Sequence, residues 1–150
     1  MKTLCYTLLL AITLLLVGTS CKKTVNTPNA TMSATVSGNN LTFSVTVSNS
    51  NGVTVIQGTS NTYNLTIVLK TLSAGIYPLG AQSTTYYATV SDNFGNSYST
   101  DGANTGQITL TQNQSNTSLY NATFYFTANE TAPNQGGGNL SVTNGSFSNI

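Results

Sequence analysis

The sequence alternates with a period of two over most of its length. Leu41, Phe43, Val45 and Val47 alternate with Thr42, Ser44 and Thr46. Tyr63, Leu65, Ile67 and Leu69 alternate with Asn64, Thr66 and Val68, and Ala122, Phe124, Phe126 and Ala128 alternate with Thr123, Tyr125 and Thr127. Successive side chains of a strand point to opposite faces, so each segment has one dry face and one wet face. Antiparallel sheets covered on one side produce this pattern, whereas strands of a parallel sheet read as continuous apolar runs. No stretch from Met32 onward carries a convincing helical period, so an all-β fold is expected.

Turn signals break the alternation at close intervals. Ser37-Gly38-Asn39-Asn40, Asn49-Ser50-Asn51-Gly52, Asp92-Asn93-Phe94-Gly95-Asn96 and Asp101-Gly102-Ala103-Asn104 are rich in residues that tolerate positive φ. Short connections join neighbours, which predicts an antiparallel meander of about nine strands. They begin near Met32, Leu41, Val53, Tyr63, Thr84, Asn96, Gln107, Leu119 and Asn139, and Asn134–Gly138 marks the last connection as a flexible loop. The expected architecture is a β-sandwich, with a small closed β-barrel as the alternative; both bury one face and limit free edges.

The charge content is only 5%, against roughly 25% in an ordinary soluble domain. Beyond residue 20 the charged side chains are Lys22, Lys23 and Lys70 against Asp92, Asp101 and Glu130, with neither Arg nor His. No basic patch exists to grip phosphates, so nucleic acid is not an expected partner. Solubility must rest on Asn, Ser, Thr and Gln.

The N-terminus reads as an address. Lys2 precedes an almost unbroken apolar run from Leu4 to Val17. As a helix that run would span roughly 20 Å, short of the roughly 30 Å of a bilayer core but right for a secretory signal. Gly18-Thr19-Ser20-Cys21 follows, and these small residues resemble a bacterial lipobox, with Gly18 where the usual pattern has Leu. The resemblance implies that residues 1–20 are removed and that Cys21 carries the lipid. Cys5 lies in the part to be cut away, which leaves no partner for an intramolecular disulfide. Residues 21–29, polar and containing Pro28, read as a tether, and 30–150 as the β domain.

Four stretches in the second half carry a family resemblance: Gly75-Ile76-Tyr77-Pro78-Leu79-Gly80 as a turn, Tyr98-Ser99-Thr100 followed by Gly106-Gln107-Ile108-Thr109-Leu110-Thr111, Ala122-Thr123-Phe124-Tyr125-Phe126-Thr127-Ala128, and Val142-Thr143-Asn144-Gly145-Ser146-Phe147. With the lipid signal they resemble small uncharacterised lipoproteins of the Bacteroidetes type, a domain of unknown function. The resemblance implies an architecture and an address, the outer membrane of a Gram-negative envelope, and no activity.

Residues fit for catalysis are scarce. Without His the commonest general base is missing. Asp92 and Asp101 fall in turns, where Asp is an ordinary residue, and Glu130 opens a loop. No catalytic residue and no cofactor is expected. Asp92 and Asp101, with nearby Asn93, Asn96 and Asn104, form a weak calcium candidate through their oxygens. Parity places Tyr87 and Tyr125 on wet faces, where an aromatic ring can stack on a sugar or anchor a protein; the competing role is cross-strand pairing. The expected function is a lipid-anchored envelope domain for binding, adhesion or structure. A carbohydrate-binding accessory lipoprotein is the alternative, and a hydrolase a more distant third.

Overall fold

The computed structural model describes residues 23–25, 30–82, 85–103, 105–131 and 138–150. The regular elements among them are all strands: β1 (Lys23–Val25), β2 (Thr31–Val36), β3 (Asn39–Ser50), β4 (Val53–Thr59), β5 (Tyr63–Leu69), β6 (Gly75–Leu79), β7 (Tyr86–Asp92), β8 (Ser97–Ser99), β9 (Gly106–Gln112), β10 (Tyr120–Glu130) and β11 (Asn139–Ser148). The signal segment, Cys21 and Lys22 lie outside the described residues, as do the strand start expected at Thr84, Asn104, and residues 134–137 of the expected last loop.

Local chemistry sets the first hairpins. Ser37 and Gly38 have φ of 48° and 85°, and Asn51 and Gly52 have 52° and 77°. Two consecutive residues at positive φ make the tight turn whose twist matches paired strands. Val36 therefore faces Asn39 across the first turn, and Ser50 faces Val53 across the second.

The ladders run β2-β3-β4-β5-β7-β8-β10-β11, and β11 pairs again with β2. The sheet thus closes into an eight-strand barrel, the alternative expected from the sequence and not the sandwich. Eight strands enclose a space that side chains can fill. Met32, Phe43, Ile56, Leu65, Ile67, Val90, Phe126 and Val142 fill it, all almost wholly buried. Burying one such side chain is worth about 1.5–3 kcal/mol relative to leaving it exposed.

The outside is polar. Hydroxyls pair across strands: Thr31 Oγ1 with Ser148 Oγ at 2.8 Å and Ser33 Oγ with Ser146 Oγ at 3.1 Å, while Thr35 Oγ1 donates to Asn40 Oδ1 at 2.6 Å. This is how an Asn/Ser/Thr surface hydrates a nearly uncharged domain. It is also the reverse of a membrane-spanning barrel, whose outer wall is an apolar band.

Two elements depart from the expected meander. Gly75–Leu79, read as a turn, is strand β6 and pairs with β9. It fills the wall where β8, three residues long, stops short. Leu79 is fully buried, Gly80 N–H donates to the Tyr86 carbonyl at 3.0 Å, and the Tyr77 and Tyr86 rings stand 4.7 Å apart. Residues 23–25, read as tether, form β1, in register with the end of β3 from Lys23↔Asn49 to Val25↔Val47. Every other expected strand start lies within two residues of an observed one.

Candidate functional site

Strand β10 positions the most exposed aromatic ring of the sheet. Its inward residues, Ala122, Phe124, Phe126 and Ala128, are buried, and the Phe124 and Phe126 rings lie 6.4 Å apart. Tyr125, between them in sequence, therefore points outward and is 54% exposed. On one side it faces Gln107 of β9. On the other, the pairing with β11 slips by one residue between Phe124 and Phe126, so β11 carries an extra residue there.

That irregularity is a β-bulge: Thr143 and Asn144 together stand opposite Tyr125, and the matching slip against β2 falls at Asn144-Gly145. Asn144 has a φ of 50°, and a side chain at Gly145 would put its Cβ 2.2 Å from the Phe124 ring. Glycine is needed there for close approach, not for a turn. The bulge bends the wall and leaves a shallow concavity of about 480 Å³ around Tyr125. Gln107, Thr109, Thr123, Thr143 and Asn144 line the rest, so no carboxylate or amine of the described residues lines it. The Gln107 amide donates to Thr109 Oγ1 at 3.4 Å. An aromatic face ringed by amides and hydroxyls can stack on a flat apolar surface and bond neutral polar groups around it. Tyr125 was legible by parity. The bulge residues were not singled out, although an Asn-Gly pair inside an alternating strand is a sequence signal for one.

Tyr87 sits differently. It is half-buried on the outer face of β7, opposite Val68 of β5, which in turn faces Val55 of β4. Val68 points outward yet is only 9% exposed. A tyrosine flanking a β-branched side chain on a ladder is the pairing that stabilises any sheet. Strands β6 and β9 stand between Tyr87 and Tyr125, which puts the two rings roughly 14 Å apart at the usual strand spacing. The structure does not bring them into one platform.

The carboxylates also separate. Asp92 closes the β7–β8 turn: its Oδ1 accepts from Phe94 N–H and Asn96 N–H, both at 2.9 Å, and its Oδ2 from the Asn96 amide at 2.8 Å. Desolvation raises its pKa, but hydrogen bonds from the Asn96 side chain and from the backbone of Asn96, Phe94 and Gly95 together outweigh it and hold the group below the usual carboxylate value. Asp101 lies beyond the other end of β8, where its Oδ1 accepts from Ala103 N–H at 2.8 Å. The calcium candidates Asp92 and Asp101 are thus at opposite ends of one strand. Among the described residues, no group of three or more Cys, Asp or Glu side chains is placed to hold a metal ion.

Asp101 instead shares a recess of about 390 Å³ with Glu130, Ser99 and Gln82. Oε1 of Glu130 is shut from solvent and lacks a hydrogen-bond partner among the described residues. Tyr98 pairs with Glu130 across the ladder. Desolvation, with the charges of Asp92 and Glu130, pushes its hydroxyl pKa up, which keeps it protonated.

The sequence profile of a domain of unknown function, DUF6252, matches residues 29–150. No curated protein and no solved structure matches the chain.

Proposed function

We propose that this chain, which belongs to the DUF6252 family, is a lipid-anchored domain of the Gram-negative outer envelope whose outer wall binds a neutral partner. Three things support the reading. A short apolar segment ends in Gly18-Thr19-Ser20-Cys21. The barrel interior is occupied by its own side chains, so a ligand has to be met on the wall. The wall there offers Tyr125 over an uncharged concavity, and this last observation carries the binding role. A neutral glycan suits it: a sugar ring presents a flat C–H face to the tyrosine and hydroxyls to Gln107, Thr123 and Asn144. The proposed role is binding; Asp92, held by three hydrogen bonds in its turn, is not free to serve as an acid or base.

Two experiments test the two halves. Mass spectrometry of the N-terminal peptide should find a lipidated Cys21, and Cys21→Ala should leave an unprocessed precursor; an unmodified cysteine refutes the anchor. A glycan array should give neutral hits that Tyr125→Ala abolishes and Tyr87→Ala leaves in place. Binding that survives Tyr125→Ala moves the site elsewhere, and an array without hits leaves a protein partner or a structural role for the same domain.

A further inference from the structure

We infer that the barrel sits directly on the lipid surface, end-on, with the end that carries the Asn51-Gly52 turn and Lys70 facing the headgroups. The inference rests on the lipid anchor proposed above, and it deepens that reading by naming the surface through which the domain meets the membrane.

Residues 21–29 read in isolation as a spacer. However, β1 begins at Lys23 and is laddered to β3, with Lys23 opposite Asn49. Only Lys22 separates Cys21 from Lys23, and two extended residue steps reach at most about 7 Å. A lipid on Cys21 would therefore hold this end of the barrel against the bilayer, not on a loose tether.

Antiparallel pairing fixes which strand ends lie together. The start of β1 lies beside the end of β3, which turns through Asn51-Gly52 into the start of β4. Thr54 of β4 pairs with Leu69 at the end of β5, and Leu69 with Tyr86 at the start of β7. A side chain at Gly52 would lie 4.0 Å from the Lys70 carbonyl, so Lys70 belongs to this end too. Strand β2 is antiparallel to β3 and so starts at this end, β11 ends there and β10 starts there; the β9–β10 loop, residues 113–119, and the C-terminus therefore join it, with the N–H of Tyr120 donating to the Ile150 carbonyl at 2.8 Å. The opposite end carries the Ser60–Thr62 loop and the Asp92–Gly95 turn.

Lys22 and Lys23 follow the anchor in sequence, and exposed Lys70 lies at the same end of the barrel. Asp92 and Glu130 belong to the other end, Asp92 opposite Tyr63 at the start of β5 and Glu130 opposite Tyr98. An anionic headgroup layer attracts the lysine end and repels the carboxylate end. The two sets act as a dipole along the barrel, so they reinforce the orientation that the short anchor imposes.

The test uses the full chain, exported and purified with its lipid, in vesicles containing anionic phospholipid and a headgroup-bound paramagnetic quencher. Acylation blocks Cys21, so one introduced cysteine can be labelled at a time with a fluorophore. Ala74→Cys and Gln114→Cys report the lysine end; Phe94→Cys and Asn61→Cys report the other. All four positions are exposed, and two at each end guard against one variant misfolding. The labels at 74 and 114 should be quenched several-fold more than those at 94 and 61. Equal quenching at the two ends, or the reverse order, with lipid present on Cys21, overturns the orientation alone. A Cys21 without lipid in the same mass spectra overturns the anchor and the orientation together.

Discussion

Two adjacent residues, Phe124 and Tyr125, show how much one position along a strand decides. Phe124 packs against Phe126 and Phe147, with ring centroids 6.4 Å and 6.0 Å away, and Tyr125 faces solvent. Phe124→Ala should cost about 3–5 kcal/mol in a denaturant titration, as a buried aromatic leaves a cavity, whereas Tyr125→Ala should cost far less. Equal losses would place β10 in the wrong register. This much was readable from alternation, because facing is a local property of a strand. The concavity beside Tyr125 was not, because its far side is built by Asn144 and Gly145 of another strand. Asp92 supplies a second prediction. Its pKa is depressed in the folded state, so its contribution is present above the unfolded value of about 3.9 and is lost as pH falls through the folded one. Wild type should therefore melt above Asp92→Asn at neutral pH, and the gap should close as the pH is lowered below about 4. A gap that does not depend on pH would mean that the charge on Asp92 contributes nothing to its turn.

At the scale of elements, the seam between β6 and β7 depends on Thr100. It is almost fully buried; its N–H donates to the Ala88 carbonyl at 2.9 Å, its Oγ1 accepts from Ala88 N–H at 3.0 Å, and the same hydroxyl donates to the Gly80 carbonyl. One side chain thus joins the segment after β6, strand β7 and the segment after β8. Thr100→Val keeps the shape and strands two backbone groups, so it should destabilise the fold by about 1–3 kcal/mol in the same titration. A neutral effect would mean that water replaces the hydroxyl. The seam also explains why β6 was hidden in the sequence. Gly75 and Pro78 are turn residues by local chemistry, and proline is tolerated in a strand only where one edge lacks a ladder. Strand β6 is such a strand: it pairs with β9 alone. Thr100 itself carries no signal, because a buried hydroxyl is indistinguishable in sequence from the many exposed threonines.

For the whole molecule, the decisive event is closure. The ladder between β2 and β11 joins residues as far apart as Thr31 and Ser148, whose hydroxyls meet across 117 positions. Alternation and turn chemistry act over a few residues, so they specified strands and hairpins but did not decide between the expected sandwich and its barrel alternative. Closure also creates an uneven wall. Strands β4 and β5 share six paired positions, from Thr54↔Leu69 to Thr59↔Asn64. Strands β8 and β10 share two, Asn129↔Ser99 and Glu130↔Tyr98, with a flanking bond from Thr131 N–H to the Ser97 carbonyl at 2.8 Å. The ring is therefore weakest at β8, beside the recess of Asp101 and Glu130. Local opening follows the least-supported ladder, since fewer bonds and less buried apolar surface must be given up. Native-state hydrogen exchange should find the amides of Ser97–Ser99 and Thr131 exchanging through a low-energy opening, while those of Ile56, Ile67 and Phe126 exchange only with global unfolding. If the β8 amides were as slow as those of β5, the short strand would be held by something other than its ladder, with Thr100 the first residue to test by repeating the exchange in Thr100→Val.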